Sequence, residues 1–401
     1  MRMKNKIIVA FNSYDFGSTG NLCSSLLDYA RKNGFRTFFI ADNKRKNNSA
    51  DYYIREHTTR LSIFLTNKKR QIFGFSKHDS SIFKTKKVIS VLNKILHEND
   101  YVVFHFHNVQ FMNINIFKII EFAHLHNIKI VWTLHDCWPF TGGCYYFSHI
   151  KCNGWKDGSA CKGGPRGKKC KHNEYVVKRN IINSYSEGIT FVSPSFWLDS
   201  LVGESFITSN HLIIHNGIKV DNNTSSVKVN KQKDVIKLIS VASPWDERKG
   251  LKYLNELAAI LPNNYSLVVV GLTDNEPTHK RIIRMPKLNK DKLFSLYMQC
   301  DIFINPTLDD NFPTVNIEAL LFGLPVVSFK TGGSCEIFDE NTGACVEEIN
   351  AFALLNAILN IQVDDHLRRL CIKRGELFSV ENYCNKYLNL FEKLLKEVDY
   401  D

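Results

Sequence analysis

The stretch Asn305-Pro-Thr-Leu-Asp-Asp310-Asn-Phe-Pro-Thr-Val-Asn-Ile-Glu318-Ala-Leu-Leu-Phe-Gly-Leu-Pro325-Val-Val-Ser-Phe-Lys-Thr-Gly-Gly333 decides how this chain is read. A strand over Asp301–Asn305 ends in a polar loop, and the loop runs through Pro313 into a helix over Thr314–Phe322. Proline is tolerated in the first helical turn, because an amide there has no intrahelical partner. The free amides of Thr314 and Val315 can receive an anion such as a diphosphate. Glu318 lies about one turn into the helix, where a carboxylate can take two hydrogen bonds from a ribose diol. Asp310 sits in the loop, where it can meet sugar hydroxyls. Gly323-Leu-Pro325 closes the helix, and Val326–Phe329 is the next strand.

On either side of this stretch, strand and helix patterns alternate. Strands are expected at Lys6–Phe11, Phe35–Ala41, Tyr101–His107, Lys129–Leu134, Gly188–Ser193 and Leu212–His215. Leu22, Leu26, Leu27 and Ala30 recur at helical spacing, and Ile114–His126 reads as a second helix. Asn43–Lys87 is polar, basic and poorly periodic, and reads as an excursion over the surface with some helix. The pattern restarts after a polar linker, Asp221–Lys233, with strands at Val235–Ala242 and Ser266–Gly271 and helices at Gly250–Leu261, Asp291–Gln299, Ile349–Ile361 and Glu381–Val398. The alternation implies an α/β chain built on parallel sheets with helices on both faces. Two domains are expected, residues 1–218 with an insertion at 136–172, and residues 234–380, followed by a helix over 381–401 that can pack back towards the first domain. Two such domains face each other across a cleft at the carboxyl ends of their strands, where open α/β sheets bind ligands.

Three further segments carry chemistry. Ser243-Pro-Trp-Asp-Glu-Arg248-Lys249-Gly250 follows a strand and opens a helix, so Lys249 can neutralise a departing diphosphate. Phe16-Gly17-Ser18-Thr19-Gly20-Asn21 lies between the first strand and first helix, with glycines for close backbone approach and helix amides for phosphate. It lacks the Gly-x-Gly-x-x-Gly of dinucleotide binders, which counts against a nicotinamide enzyme. Phe104-His105-Phe106-His107-Asn108 and Trp132-Thr-Leu-His135-Asp136 end strands of the first sheet, where a neutral imidazole can hydrogen-bond sugar hydroxyls. Each histidine can equally be a satisfied core residue.

The stretch quoted first resembles the donor-binding signature of retaining glycosyltransferases of family 4 (group 1). These have the GT-B fold, two Rossmann-like domains with C-terminal helices, and the subgroup it is most similar to builds bacterial exopolysaccharide, capsule and O-antigen chains of the colanic-acid type. The family pattern is Glu-x7-Glu, and Asp310 and Glu318 stand at its two positions. The resemblance implies a donor-sugar contact for Asp310, a ribose contact for Glu318 and diphosphate contacts from Pro313, Thr314, Val315 and Lys249. The family's arginine six residues before the lysine is Ser243 here, and Arg248 can substitute, although neighbours on a helix point differently. The resemblance also assigns Gly17, Ser18, Thr19 and Gly20 to the donor phosphates, His135 to the donor sugar at the reaction centre, and His107 and Asn108 to the acceptor. His105 lies on the same side of its strand as His107. Ser193 and the turn Asn216-Gly217 fall in first-domain motifs that read as mainly structural. The implied activity is transfer of a hexosyl unit from a nucleoside diphosphate sugar to a lipid-linked glycan, with the anomeric configuration retained and without a catalytic metal. Competing readings are an epimerase or phosphorylase on the same fold, or a non-catalytic sugar-nucleotide binder.

Composition bounds the rest. The chain has 401 residues and a formal net charge of +12. Residues 1–200 carry 30 Lys+Arg against 14 Asp+Glu, and residues 201–401 carry 22 against 26, so the excess is confined to the first half. A basic first domain fits an anionic membrane surface, in keeping with a cytoplasmic enzyme peripheral at the inner face of the plasma membrane. Nucleic-acid binding fits poorly, because no segment resembles a nucleic-acid module and the second half is acidic. No window approaches the ~18 apolar residues of a membrane span. Ile7–Phe11 is of strand length and no small-residue cleavage site follows it, so no signal peptide is expected. A disulfide framework is therefore not the default reading of the 11 cysteines. Cys144, Cys152, Cys161 and Cys170 in the insertion lack the close pairs usual for zinc. Structural metal, buried thiols and a disulfide all stay open for them, with His149 and His172 as additional ligands.

Overall fold

β1 (Lys6–Tyr14) carries the unbroken run Ile7–Phe11, each residue fully buried. A strand covered on both faces belongs inside a parallel sheet, and in the computed structural model β1 is an interior strand of one. The structure describes residues 5–43, 50–54, 82–96, 100–159, 171–219 and 235–397. It divides into two units, each with its own sheet.

The first unit comprises Met1–Tyr146, Cys152–His215 and Val380–Asp401. Its other strands are β2 (Arg36–Asn43), β3 (Tyr52–Tyr53), β4 (Tyr101–Phe106), β5 (Lys129–Thr133), β6 (Ile189–Ser193) and β7 (Asn210–Ile213). The order is β3-β2-β1-β4-β5-β6-β7, parallel throughout, with Ala10 of β1 opposite Phe39 on one side and His105 on the other. Helix Gly17–Lys32 buries Leu22, Leu26, Leu27 and Ala30 in one core with Ile8, Val103 and Val131. The same core takes Tyr383, Tyr387, Phe391, Leu394 and Leu395 from helix Val380–Glu397, whose apolar residues recur every three or four positions.

The second unit comprises Phe147–Lys151 and Asn216–Ser379. Its strands are β8 (Ile236–Val241), β9 (Tyr265–Val270), β10 (Ile282–Met285), β11 (Ile302–Asn305), β12 (Val326–Phe329) and β13 (Gly343–Val346), in the parallel order β10-β9-β8-β11-β12-β13. Adjacent strand residues part to opposite faces, as the two-residue strand period requires. Leu238, Val269, Ile304 and Val327 enter one core, and Ile239, Val268, Phe303 and Val326 the other. In both sheets the order reverses beside the first strand, between β1 and β4 and between β8 and β11. Ligands of doubly wound folds bind outside the carboxyl ends of strands at that reversal.

Several expectations are corrected. By their packing the second unit takes in Asn216–Ser379, and the first unit regains the last helix from Val380. The insertion 136–172 is not wholly a first-unit feature, because Phe147–Lys151 group with the second unit. Gly17–Gly20 open the first helix rather than forming a loop before it, since β1 continues to Tyr14. The short edge strands β3, β10 and β13 escape a periodicity reading because they offer only two to four residues of pattern. Helices His172–Ser184, Phe196–Gly203 and Asp365–Glu376 were likewise not expected. Cys335 and Cys345 are joined in a disulfide with Cα atoms 5.8 Å apart, contrary to the default expectation for this chain. Linker residues 221–233, most of the excursion within 43–87, and Cys161 and Cys170 lie outside the described residues.

Helix Val380–Glu397 contributes core to the first unit, so truncating it should loosen that unit. Phe391 is fully buried, and Phe391→Ala should cost about 3–5 kcal/mol. Scanning calorimetry should show the first unit's transition moved several degrees down, and an unchanged transition would contradict this packing.

Candidate functional site

At the reversal in the second sheet, two loops lock together through backbone atoms. Leu308 N–H donates to the Arg248 carbonyl at 2.7 Å, and the Arg248 guanidinium returns a bond to the Asp309 carbonyl at 2.5 Å. Gly250 has φ +76°, and a Cβ there would lie 2.1 Å from the Pro306 carbonyl oxygen. Gly332 has φ +57°, and its Cβ would lie 2.0 Å from the Asp310 carbonyl oxygen. Both positions therefore require glycine, once for left-handed backbone and once for contact with the same loop.

This lock sets the charges. Glu247–Lys249 form a 3-10 turn capped by the Asp246 side chain, which accepts from Lys249 N–H. The turn directs both basic side chains to one carboxylate. Lys249 Nζ lies 2.5 Å from Asp310 Oδ2, and Arg248 Nη1 lies 3.6 Å from the same atom. The expectation that neighbours would point apart is thus corrected: in a tight turn, Arg248 and Lys249 converge. Burial works against the Asp310 anion, but Lys249 and Arg248 outweigh it and hold its carboxyl below the usual range. Ser243 precedes this turn, in a cis peptide bond with Pro244.

Past Asp310, Pro313 is the N-cap of helix Thr314–Leu321, in extended conformation and with no side-chain cap. The first-turn amides of Thr314 and Val315 lack intrahelical acceptors. Beneath them runs a buried polar ladder that the sequence reading missed. Asn305 Nδ2 donates to Asn316 Oδ1 at 2.8 Å, Asn316 Nδ2 to the Ser334 carbonyl at 3.2 Å, and Ser328 Oγ to the Asn305 carbonyl at 2.9 Å. Glu318 is half-buried and accepts from the hydroxyl of fully buried Tyr297 at 3.3 Å. Burial pushes the Glu318 carboxyl up to about 7, against the Tyr297 hydrogen bond and Lys290.

The first unit has its own cluster beside its reversal. Asn12 Oδ1 accepts from Asn108 N–H at 3.1 Å, and Ser13 N–H donates to the Asn108 carbonyl at 3.1 Å. Asn12 Nδ2 reaches Thr19 Oγ1 at 3.4 Å. His107 follows β4, His135 follows β5, and their Nδ1 and Nε2 atoms are 2.9 Å apart, so one proton lies between two neutral rings. His105 Nε2 pairs with Thr133 Oγ1 at 2.8 Å, which meets the Tyr387 hydroxyl at 2.6 Å. His107 is only 2 % exposed, and its Nε2 has no hydrogen-bond partner among the described residues. His107 thus backs His135, and the Asn108 backbone is tied to β1. Burial drives His105 down to about 3, with His135 adding to the effect, and His135 to about 4. His107 is likewise lowered by burial and by His105 and His135.

The loop after His135 is braced. Asp136 is buried, which pushes its carboxyl up to about 7, and it accepts from Trp138 N–H and Gln110 Nε2. Lys178 is fully buried, donates to the Trp138 and Thr141 carbonyls at 2.7 and 2.9 Å, and packs over the Trp138 ring. No sequence signal marks Lys178, since its helix has no strong apolar face. His172 Nδ1 is engaged by the Gly158 carbonyl and His149 Nδ1 by Asp309. Among the described residues no cluster of three or more metal-ligating side chains occurs.

Comparisons with known proteins agree with this architecture. Residues 221–378 match the family model described as glycosyl transferases group 1. The chain is 24% identical over 313 residues, 72% of its length and 76% of the other's, to the Escherichia coli K12 protein named as a colanic acid biosynthesis glycosyl transferase, WcaC. A sucrose-phosphate synthase from Thermosynechococcus elongatus superposes with TM-score 0.66 at 14% identity, over 98% of this chain and all of that one. Anabaena HepE in complex with UDP superposes with TM-score 0.61 at 14% identity, over 97% and 100%. The chain has the GT-B fold and carries a glycosyl transferases group 1 domain.

The three buried histidines set a pH dependence. In the unfolded chain each takes up a proton near 6.5, whereas the folded cluster resists it to about 4 or below. Stability from this cluster is thus full above about pH 6.5 and is lost as pH falls towards 4. Asp136, raised to about 7, acts in the opposite direction but is one group against three. The first unit's melting temperature should drop between pH 7.5 and 5, and His107→Gln should flatten the drop. A rising melting temperature would refute the assignment.

Proposed function

We propose that this chain, through its group 1 domain, binds a nucleoside diphosphate sugar and transfers the hexosyl unit to a lipid-linked oligosaccharide with retention of configuration. The observation that carries the reading is the convergence of Lys249 and Arg248 on Asp310, beside the open amide end of helix Thr314–Leu321 and one turn from Glu318. Two cations, unpartnered first-turn amides and a diol-accepting carboxylate are the complement of a ribose diphosphate. HepE was crystallised with UDP and with UDP-glucose, which supports this donor class. The relative named for colanic acid biosynthesis supports bacterial surface polysaccharide as the product class.

In the proposed reaction the anomeric carbon–oxygen bond to the diphosphate breaks. The acceptor hydroxyl oxygen bonds that carbon from the same face, and its proton passes to the leaving phosphate oxygen. The protein's contribution is electrostatic. Lys249, Arg248 and the amides of Thr314 and Val315 stabilise negative charge as it builds on the diphosphate. The Lys249–Asp310 pair would part as the diphosphate takes over the lysine, leaving Asp310 for sugar hydroxyls. His135 is the first unit's proposed contact to the sugar, and Gly17–Gly20 its proposed phosphate-facing backbone. The proposal calls for no catalytic metal. Among the described residues no helix is long and apolar enough to cross a membrane. Action at the cytoplasmic membrane face rests on the basic first half of the sequence.

A thermal-shift panel of nucleoside diphosphate sugars tests the donor class. At least one should raise the melting temperature, and Glu318→Ala should abolish the rise. An undiminished rise in that variant would show that Glu318 does not hold the ribose. The pH dependence follows from burial of that carboxyl: it ionises as pH passes about 7, and only the anion accepts two diol bonds. Donor affinity should therefore improve several-fold from pH 6 to 8, and calorimetric titration of Glu318→Gln should show no such gain.

A further inference from the structure

We propose that Ser148 and His149, at the tip of the Cys- and Lys-rich insertion, are positioning residues that hold Asp309, and through it Asp310, for the donor sugar. The inference rests on the donor reading above and extends it to a segment some 160 residues away in sequence.

The insertion is long, basic and rich in cysteine, yet only its middle five residues, Phe147–Lys151, belong to the second unit. They form a single 3-10 turn, Ser148–Ile150, ended by Lys151 in the left-handed region at φ +50°. The turn presents three N–H groups to one oxygen. Ser148 N–H, His149 N–H and His149 Nδ1 lie 2.7, 3.3 and 3.2 Å from Asp309 Oδ2. A carboxylate only accepts, so Nδ1 carries the proton.

The Asp309 side chain is 0 % exposed, and its Oδ1 has no hydrogen-bond partner among the described residues. A buried carboxylate stripped of donors is strongly unfavourable. Among the described residues the turn supplies the hydrogen bonds of this side chain, so without it Asp309 would have to leave its site. Its backbone could not stay behind. The Asp309 carbonyl accepts from Arg248, and the next residue presents the carboxylate that receives Lys249 and Arg248. A shift at Asp309 therefore displaces the sugar-facing carboxylate of Asp310. Glu318 and the helix amides lie on the far side of Pro313 and are braced separately, by Tyr297 and by the Asn305–Asn316 ladder. The turn should thus govern the sugar and the reaction, not the nucleoside.

Calorimetric titration with UDP, UDP-glucose, GDP and GDP-mannose, together with donor-turnover kinetics, separates these roles. With whichever base binds the wild-type chain, His149→Leu should keep the nucleoside diphosphate affinity within about twofold. It should lose the extra affinity of the sugar nucleotide, and kcat/KM should fall about tenfold or more. His149→Asn, which retains a side-chain N–H, should recover to within about threefold of wild type. An unchanged kcat/KM in His149→Leu, or an Asn variant as impaired as the Leu variant, overturns the proposal. If His149→Leu does not fold, His149→Ala, which lacks any side-chain N–H, and Asp309→Asn are combined in a double-mutant cycle. Coupling beyond about threefold supports the contact and additivity overturns it. A wild-type chain that binds none of the four nucleotides overturns the donor reading itself, an outcome distinct from loss confined to the variants.

Discussion

The site in the second unit depends on one close approach of backbone to backbone, where the loop after β8 meets the loop after β11. Leu308 N–H donates to the Arg248 carbonyl there, the Arg248 guanidinium donates to the Asp309 carbonyl, and Gly250 and Gly332 leave no room for a side chain. The strand reversal creates the opportunity, because the chain departs in opposite directions from two neighbouring strands. The glycines turn that opening into a rigid fixture. Arg248, Lys249 and Asp310 are then aimed by backbone rather than by long side chains searching for partners, and little reorganisation is needed when a charged ligand arrives.

The same arrangement also explains why like and unlike charges coexist in a partly buried place. Asp310 neutralises two cations that would otherwise repel each other, and the cations keep it ionised. Glu318, a short distance along the same segment, has no cation in direct contact among the described residues, and burial raises it to about 7. Two carboxyl groups eight residues apart are thus tuned in opposite directions by their surroundings, one as a fixed anion and the other near its titration point. In the first unit the equivalent tuning is done by exclusion of charge: three histidines share a buried corner and all remain neutral.

Much of this was legible in the residues. The alternation of apolar runs and amphipathic helices showed two parallel sheets, and the stretch from Asn305 to Gly333 placed its loop, helix and following strand within a residue or so. Lys249, Asp310 and Glu318 could be named through the family resemblance of their segments, since local pattern alone does not tell them from ordinary loop and helix charges. What escaped was whatever depends on contact between distant segments. Nothing near Tyr297 announces that its hydroxyl will reach Glu318, and nothing in helix His172–Ser184 marks Lys178 as a buried brace. His107 looked available because a strand end is usually open, yet its burial beneath His135 is decided by a residue 28 positions away. Arg248 was misread through helix geometry, where a 3-10 turn brings neighbours together.

The insertion makes the same point from the other direction. Its cysteines drew attention because metal-ligand spacing can be counted along a sequence, while Ser148 and His149 offer nothing to count. Their importance comes from a buried carboxylate that needs donors. A turn with two amides and an imidazole meets that need more selectively than a lysine would, because three N–H groups converge on one oxygen and a point charge fixes none of their directions. A carboxylate held in this way does not compete for Lys249, so the basic residues of the site remain directed to Asp310 and to whatever anion replaces it.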